Sequence, residues 1–453
     1  MTNAGKPCDL SISEASAKIK AGELTSVELV SSCLERIDAL EENIQAWALV
    51  DRGGALEAAQ SLDRELQQGK RRGPLHGIPV GIKDIFYTAG LRTEAGSRTW
   101  LGFVPSYDAT SVARLKEAGA IILGKTHTTE FANFDPAPTR NPWNTRHTPG
   151  GSSSGSGAAV AAGMCHAALG SQTLGSVLRP AAYNGIVGFK PHHGRISAYG
   201  VVPVSWNLDH VGVLSRTVED AALVFQAIAG YDPCDLNSLT EAVPDCLSTL
   251  ESQKAPRLGL VREYFYDHAD EEMRANTDSV MERLRHAGAE VEEVGLPSSF
   301  PHIHSNGRTI MVVELAAYHK EMFARNKDGY REGIRKLIEE GFATSATDYA
   351  RALQTRLQHY ADVQTMFGGL DALVTPGAPG AAPEGLESTG SPVMQAPWTV
   401  VGMPTINLPT GLSKTGLPLG TQLVGHPRTE DRLLAVARWC ERVLDMHLRP
   451  SLG

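Results

Sequence analysis

The segment 150–164, GGSSSGSGAAVAAGM, constrains the fold most, because no side chain before its final methionine is larger than valine. It begins as a Gly/Ser loop and continues as an Ala-rich run, which predicts a loop followed by a helix. Small side chains let the backbone of such a helix lie very close to its neighbour. The segment therefore predicts a helix packed tightly against a sheet.

Strand and helix patterns alternate on both sides of this segment. Residues 75–86 form an apolar run punctuated by glycine and proline, which is typical of a buried strand. A helix pattern over 111–118 and a strand pattern over 120–124 follow, and strand, helix and strand recur over 255–298. Residues 168–176 are expected to form a second Gly/Ser turn. This alternation predicts an α/β fold.

The composition excludes several classes of protein. Apolar residues are 42% and charged residues 21% of the 453, so a disordered or fibrous chain is excluded. The formal net charge of −9 gives no basic surface for nucleic acid or an anionic membrane. Six scattered cysteines without a CxxC pair indicate neither a zinc site nor disulfides. No secretory or membrane-spanning stretch is visible. We therefore expect a cytoplasmic protein.

The chain shows no linker, internal repeat or low-complexity tract, so we expect one domain over 1–453. A capping-box pattern at Thr25 and Glu28 precedes apolar residues at helical spacing, and the N-terminal segment of about 10–70 is predicted to be helical. A second helical region is expected at about 305–370, followed by a long ordered loop over 375–397 rich in glycine and proline.

Lys83 lies within the apolar run 75–86, where a charged side chain is unusual. An isolated lysine at a strand end commonly extends its head into water. The alternative is a desolvated lysine with a lowered pKa, which can act as a base. The run alone supports either interpretation.

Two serine-containing turns supply further candidates. The GGSSSGSG loop by itself is typical of an ordinary turn, and it is neither a P-loop nor a GxSxG elbow. In QTLGSVLRP, the backbone N–H groups of residues 173–176 can point at one position. That arrangement is what an oxyanion hole requires.

Four motifs in a fixed order make the pattern specific. They are GIPVGIKDIFYTAGLRTEAGS, GKTHTTEFA, NPWNTRHTPGGSSSGSGAAVAAGM and LGSQTLGSVLRPAAYNGIVGFKP. Together they resemble the amidase signature family, whose hydrolases use a Ser–Ser–Lys triad. PWTVVGMPTINLPTG and GLPLGTQLVG resemble the C-terminal half of the same family. The resemblance implies a large mixed β-sheet covered by helices on both faces.

The resemblance also implies three catalytic residues. Lys83 matches the family lysine, Ser152 matches the bridging serine that the family holds on a cis peptide bond, and Ser176 matches the nucleophile. The matching oxyanion-hole amides are those of Thr173, Leu174, Gly175 and Ser176. Neither a metal ion nor a cofactor is implied.

The nucleophile motif departs from the common family form DTGGSIRxPA. Gln172 replaces the acid, Leu174 a glycine and Leu178 the arginine, while Arg179 stands one position later. We expect the acid and the arginine to be lost together if they form a partly buried ion pair in the common motif. Losing only one of them would leave the other as a buried charge without a partner. The three catalytic positions are unaffected.

These features predict a serine hydrolase that cleaves a C–N bond of an amide, a carbamate or a urea. Carbamate hydrolysis would make it a urethanase. One alternative is the A subunit of a glutamine-dependent amidotransferase. An alternative from another class is an inactive interaction module with an amidase fold, although such a module has no use for Lys83, Ser152 and Ser176.

The segments beside the motifs predict a mainly apolar substrate pocket. Its candidates, besides Leu174, are Phe131, Asn133, Trp206, Asp209, Met394 and Trp398. The expected partner is a small amide or carbamate molecule, with no nucleic acid and no membrane. The family resemblance also admits a homodimer.

Overall fold

The structure is a computed structural model of the chain that describes residues 6–252 and 254–452. Eleven strands in this part form one sheet. They are β1 (Trp47–Val50), β2 (Pro79–Lys83), β3 (Ile121–Thr126), β4 (Ala167–Gln172), β5 (Val187–Lys190), β6 (His210–Ser215), β7 (Arg257–Leu260), β8 (Glu290–Glu293), β9 (Ala372–Pro376), β10 (Thr405–Leu412) and β11 (Pro418–Val424). Their order across the sheet is β1-β3-β2-β4-β6-β5-β10-β11-β9-β7-β8.

The sheet is mixed, as the family resemblance implies. Strand β2 pairs in parallel with β3 and with β4, whereas β4 pairs antiparallel with β6. The parallel arrangement of β2 and β4 brings their carboxyl ends to the same edge of the sheet. The α/β fold class with a large mixed sheet is therefore confirmed.

Fifteen α-helices accompany the strands within the described residues. They are α1 (Ile12–Ala21), α2 (Ser26–Ile44), α3 (Arg52–Gln67), α4 (Thr110–Glu117), α5 (Ser154–Ala161), α6 (Leu178–Asn184), α7 (Val218–Ile228), α8 (Cys246–Thr249), α9 (Phe265–His268), α10 (Glu271–His286), α11 (Ile303–Arg325), α12 (Glu332–Ala343), α13 (Ala346–Gln364), α14 (Ala396–Val400) and α15 (Glu430–Leu444). None of these helices has the length and apolar character needed to cross a bilayer.

The helices cover both faces of the sheet, with a separate core on each. Ile121 and Leu123 of β3 belong to one buried cluster, with α2, α3 and α5, whereas Ile122 between them belongs to the other. Successive side chains of a strand point to opposite faces, so the two clusters lie on opposite sides of the sheet. The larger cluster contains buried residues of α7, α10 and α11.

The predicted capping box at the start of α2 is present. The Thr25 hydroxyl accepts a hydrogen bond from the Glu28 N–H at 3.1 Å, and the Glu28 carboxylate accepts one from the Thr25 N–H at 2.8 Å. Two donors that the helix leaves unpaired are thus satisfied. The segment 10–70 contains α1, α2 and α3, together with the short strand β1, which the helical periodicity does not predict.

The expected turn over 168–176 is wrong in its first half, where the chain forms the central strand β4. Glycine and serine are common in turns, but in this strand Gly170 lets Ser153, which precedes α5, and Leu214 of β6 approach closely. A Cβ on Gly170 would lie 2.8 Å from the Ser153 hydroxyl and 2.9 Å from the Leu214 side chain. The turn is confined to the residues after Gln172. The predicted loop corresponds to the residues between β9 and α14.

Helix α5 is the tightly packed helix predicted from the small side chains, and all eight of its residues are buried. We expect Gly155→Ala to destabilise the protein by about 3 kcal/mol, because the methyl group would overlap backbone atoms of Ala46 and His127 that cannot rotate away. Chemical denaturation measures the loss. Gly53→Ala is the matched control, since no atom lies within 4 Å of its Cβ position. It should be neutral or slightly stabilising, and equal effects of the two substitutions would contradict the packing argument.

Candidate active site

Lys83 is the last residue of β2, and its side chain has no exposed surface. Its Nζ donates a hydrogen bond to the Ser152 hydroxyl at 2.7 Å and another to the Ser171 hydroxyl at 2.8 Å. The carbonyl oxygen of Ser171 lies 3.4 Å away. Ser171 belongs to the neighbouring parallel strand β4, so the sheet itself holds the lysine against this serine.

Burial lowers the pKa of Lys83 well below its ordinary value. Asp209 acts in the opposite direction, and the nearby Arg179 lowers the pKa further. A buried amine is disfavoured in its charged form because water no longer solvates it. The structure therefore favours the desolvated interpretation of Lys83 over a head group in water, and such an amine can accept a proton.

Ser152 lies in the loop between β3 and α5 and is almost completely buried. The Gly151–Ser152 peptide bond is cis, as the family resemblance implies. The carbonyl oxygen of Gly151 accepts a hydrogen bond from Arg179 Nη2 at 2.7 Å. The Ser152 segment is thus held from two sides, by Lys83 and by Arg179.

Ser176 lies in a cleft of about 340 Å³, its open mouth included, which we call the Ser176 cleft. Its lining consists of Ala132, Asn133, Phe134, Thr173, Leu174, Gly175, Ser176, Arg179, Val204, Met311 and Pro392. All four predicted oxyanion-hole residues are in this lining. Their backbone N–H groups have no hydrogen-bond acceptor among the described residues, whereas the next two N–H groups do. Four backbone N–H groups, those of residues 173–176, are therefore free to donate hydrogen bonds beside the Ser176 hydroxyl.

Of the six other pocket candidates, only Asn133 lines the Ser176 cleft. The structure places the remaining five elsewhere: Phe131, Trp206, Asp209, Met394 and Trp398. Trp398 is fully buried and its ring stacks on Phe265 at 5.4 Å, while Trp206 is 47% exposed outside the cleft. Proximity in sequence to a motif does not fix the direction of a side chain, and these five side chains are not in the lining of the Ser176 cleft.

Asp209 contacts the cleft indirectly, through Thr173. The Thr173 hydroxyl donates a hydrogen bond to its carboxylate at 2.6 Å, and the Val204 and Ser205 N–H groups donate two more. Burial raises the pKa of Asp209 to about 6, although these three donors favour the ionised form. Asp209 thus fixes the first residue of the turn that carries Ser176.

The same hydrogen-bond chain continues away from the cleft. The Ser205 hydroxyl donates to the carboxylate of Glu314 in α11, and the Tyr349 hydroxyl of α13 donates to the same carboxylate at 2.7 Å. Glu314 is 2% exposed. The turn with Thr173 is therefore connected to two helices of the 305–370 region.

The side chain of Gln172 stabilises the turn that carries Ser176, although the sequence of this turn differs from the common family motif. The Gln172 side-chain oxygen accepts hydrogen bonds from the Val177 and Leu178 N–H groups at 2.8 and 2.9 Å. Its amide nitrogen donates to Thr399 Oγ1 at 2.9 Å. Gln172 and Leu178 both have no exposed surface, which agrees with the burial that the ion-pair hypothesis requires.

We expect Gln172→Leu to lower the free energy of unfolding by about 2–4 kcal/mol, because two buried N–H groups lose their acceptor. Turnover should fall as well, since both donors belong to the segment that follows Ser176. Urea denaturation measures the stability. Gln68→Leu changes an exposed glutamine in the same way and should cost less than about 0.5 kcal/mol. A stable, fully active Gln172→Leu variant would contradict the capping role.

Sequence reasoning missed two residues of the site. Ser171 contacts Lys83, and Arg179 contacts the carbonyl oxygen of Gly151. The sequence carries no signal for Ser171, because the pattern over residues 168–176 predicts a turn, whereas the structure places Ser171 in β4 beside β2. The sequence shows Arg179 only as an arginine one position after that of the common motif, because its acceptors lie in two distant segments.

Comparisons with known proteins identify the family and the fold of the chain. The family model described as Amidase matches residues 28–434. The A subunit of the glutamyl-tRNA(Gln) amidotransferase of Carboxydothermus hydrogenoformans is 39% identical, over 98% of this chain and 99% of the relative. The native peptide amidase of Stenotrophomonas maltophilia has a TM-score of 0.87 at 32% identity, covering 100% of this chain and 99% of that one.

A further solved structure comes from a vestigial protein complex linked to the origins of an s-triazine catabolic enzyme. Its TM-score is 0.90 at 28% identity, with 98% of this chain and 100% of that chain covered. Another curated relative, from Geobacter sp. (strain M21), is also the A subunit of a glutamyl-tRNA(Gln) amidotransferase, at 38% identity over 98% of this chain and 99% of the relative. The curated relatives favour the amidotransferase alternative over a free-standing amide or carbamate hydrolase.

The expectation about partners is wrong. A small molecule as the sole partner, without nucleic acid and with at most a homodimer, disagrees with relatives that are subunits of an enzyme named for a tRNA. The physical reason is that net charge describes only the surface of this chain. It carries no information about what a complex containing the chain binds.

The curated relatives are amidotransferase subunits, one of the solved structures is a peptide amidase, and this chain is an enzyme as well, which disfavours the inactive-module alternative. The family model and relatives more than 30% identical cover nearly the whole chain. The chain therefore belongs to the Amidase family, as its ordered motifs predict.

Proposed function

We propose that this chain cleaves the C–N bond of a carboxamide through an acyl-enzyme on Ser176. The observation that carries the proposal is the 2.7 Å hydrogen bond from the fully buried Lys83 to Ser152, in a site whose other serine lies in a cleft. A hydroxyl becomes a useful nucleophile only when a neighbouring base takes its proton. Lys83, acting through Ser152, is the proposed base.

The proposed reaction has two halves. Neutral Lys83 accepts the Ser152 proton while Ser152 accepts that of Ser176, and Ser176 Oγ attacks the carbonyl carbon. Ser152 then passes the proton from Ser176 to the nitrogen as the C–N bond breaks, which releases an amine or ammonia, and takes its own proton back from Lys83. Water attacks the resulting ester and gives a proton to Lys83 through Ser152. The same path returns this proton to Ser176 Oγ as the carboxylic acid leaves, which restores the starting state.

The free N–H groups of residues 173–176 are the proposed stabilisers of the negative oxygen formed during attack. Donors fixed in place before the reaction need no rearrangement when the charge appears, and each is worth about 2.7–4 kcal/mol in comparable sites. The bond from Thr173 to Asp209 supports this proposal, because it holds the first of these residues in position.

The better supported setting is that of an amidotransferase A subunit, with glutamine as the amide donor. Its support is the similarity along nearly the full length to subunits of glutamyl-tRNA(Gln) amidotransferases. In that setting the chain releases ammonia while protein partners and a charged tRNA receive it. A cytoplasmic location belongs to the same proposal, since charged tRNA is used there.

A second candidate is the hydrolysis of carbamates or amides with apolar groups, which includes a urethanase activity. The observation in its favour is that no carboxylate lines the Ser176 cleft among the described residues, whereas Leu174, Val204 and Met311 do. Such a lining offers no partner for the ammonium group of glutamine. Carbamate cleavage at the C–N bond would release an amine and leave a carbonate ester on Ser176, which water converts to an alcohol and CO₂.

One assay separates these candidates. Purified chain is incubated with glutamine, with an aliphatic p-nitroanilide and with an N-aryl carbamate. Ammonia and aromatic amine are measured, each beside Ser176→Ala. The glutamine reaction is repeated with the other subunits of a bacterial glutamyl-tRNA(Gln) amidotransferase. Ammonia from glutamine, increased by those subunits, supports the first setting. If aromatic amine is released but glutamine gives no ammonia, with or without those subunits, the result supports the hydrolase of carbamates or apolar amides. The same result contradicts the amidotransferase subunit.

A further inference from the structure

Arg179 is a buried cation without an acidic partner. It is 4% exposed, and no carboxylate of the described residues lies within 4 Å of its guanidinium nitrogens. Its Nη1 and Nη2 donate to neutral oxygens instead: Gly390 O at 2.8 Å, Gly151 O at 2.7 Å and Thr389 Oγ1 at 3.0 Å. The charge is therefore solvated by dipoles and is not cancelled.

This charge lies close to the proposed base. Gly151, whose carbonyl oxygen binds Arg179, directly precedes Ser152, whose hydroxyl binds Lys83. The guanidinium and the amine thus act on neighbouring residues of one buried loop. A positive charge in such low-dielectric surroundings disfavours a second positive charge nearby.

The neutral Gln172 also affects whether the neutral or the protonated form of Lys83 is favoured. It occupies the position where the common motif has an acid, and it adjoins Ser171, which binds Lys83 Nζ. A carboxylate there would favour the protonated lysine. The other charges facing this region are Asp209, bound to Thr173, and the buried pair of Asp84 and Lys125 at 3.4 Å, whose opposite charges largely cancel.

We propose that Arg179 is a positioning residue that holds the Ser152 loop and, through its uncancelled charge, keeps Lys83 neutral near physiological pH. The proposal rests on the proposed function only in assigning Ser176 as nucleophile and Lys83 as base. It assigns a role that is specific to this chain, because the arginine of the common motif stands one position earlier. Removing the charge should raise the pKa of Lys83, so the pH needed for reaction should rise.

The test uses a fluorophosphonate probe, which forms a bond from Ser176 Oγ to phosphorus and expels fluoride, so no substrate need be known. The second-order labelling rate of the full chain is measured between about pH 5 and pH 10 for wild type, Arg179→Met and Arg179→Lys. We expect Arg179→Met to react at least about tenfold more slowly at pH 7, with the midpoint of its rising limb about one pH unit higher.

Arg179→Lys keeps the charge, so its midpoint should stay within about 0.3 pH unit of wild type even if its rate falls. Arg325→Met removes a charge from a side chain that is 77% exposed, and it should change neither rate nor midpoint. If Arg179→Met is slower but its midpoint is unchanged, Arg179 only supports the loop and the proposal fails.

A further variant keeps the proposal testable if Arg179→Met does not fold. Gln172→Glu adds a carboxylate next to Ser171 and should raise the midpoint in the same direction, whereas an unchanged or lowered midpoint would overturn the proposal. Wild type that is not labelled at all would instead refute Ser176 as the nucleophile. That result contradicts the proposed function and is distinct from failure of the Arg179 role.

Discussion

Ser176→Ala should reduce turnover by roughly 10⁴–10⁶-fold, because the variant retains the binding surface but has no atom that can form the acyl-enzyme. Stability should change by less than about 1 kcal/mol, since one small hydroxyl at 9% exposure is removed. Initial rates on an accepted amide and thermal unfolding, measured on the same preparation, provide the two readouts.

The matched control is Ser111→Ala, which removes a fully buried hydroxyl from α4, away from the Ser176 cleft. Its turnover should equal that of wild type. If purified Ser176→Ala kept more than a few per cent of the wild-type rate, with contamination excluded by a second preparation, the nucleophile would have to be another residue.

Lys83→Met and Ser152→Ala should each lower turnover by at least about 10³-fold, and the double variant should be little worse than either alone. The reason is that one proton path passes through both side chains, so breaking it once removes most of its effect. Rates of the two single variants and the double variant give the interaction energy directly. Effects that simply add would show that Lys83 and Ser152 act independently.

The pH dependence of the same variants gives a second check. Since burial lowers the pKa of Lys83 and the neutral form is the base, wild-type activity should rise with pH through the folded pKa. Lys83 has its ordinary pKa of about 10.4 in the unfolded chain and a lower pKa in the folded chain. Between these two values the unfolded chain binds one more proton than the folded chain, so the stability of wild type should rise with pH. Lys83→Met should lack this contribution, up to about 1.4 kcal/mol per pH unit. Identical stability profiles would contradict a neutral buried lysine.

The sequence allowed the three catalytic candidates to be predicted because each lies in a motif with fixed spacing. Lys83 and Ser152 are brought within 2.7 Å although they lie 69 positions apart in the chain, and this contact joins the end of β2 to the loop before α5. The α/β alternation and the tight packing of α5 were predictable for a similar reason, since both are properties of short continuous segments.

The substrate pocket could not be predicted in the same way. The lining of the Ser176 cleft combines Asn133, Val204, Met311 and Pro392 with the nucleophile turn, so it depends on how several distant segments meet. Trp398 illustrates the difficulty, because the ring packs on Phe265 in the core and not in the cleft. Gln172 could be recognised as a departure, but its role as acceptor for two N–H groups required the fold.

The hydrogen bonds from Thr173 through Asp209 and Ser205 to Glu314 and Tyr349 link the cleft to the dynamics of remote helices. Helices open locally without unfolding the whole protein, and α13 lies on the outer part of this chain of contacts. Each opening of its first turn withdraws the Tyr349 hydroxyl from a buried carboxylate. We therefore expect local opening of α13 to loosen the position of Thr173, although no residue of α13 belongs to the lining of the Ser176 cleft.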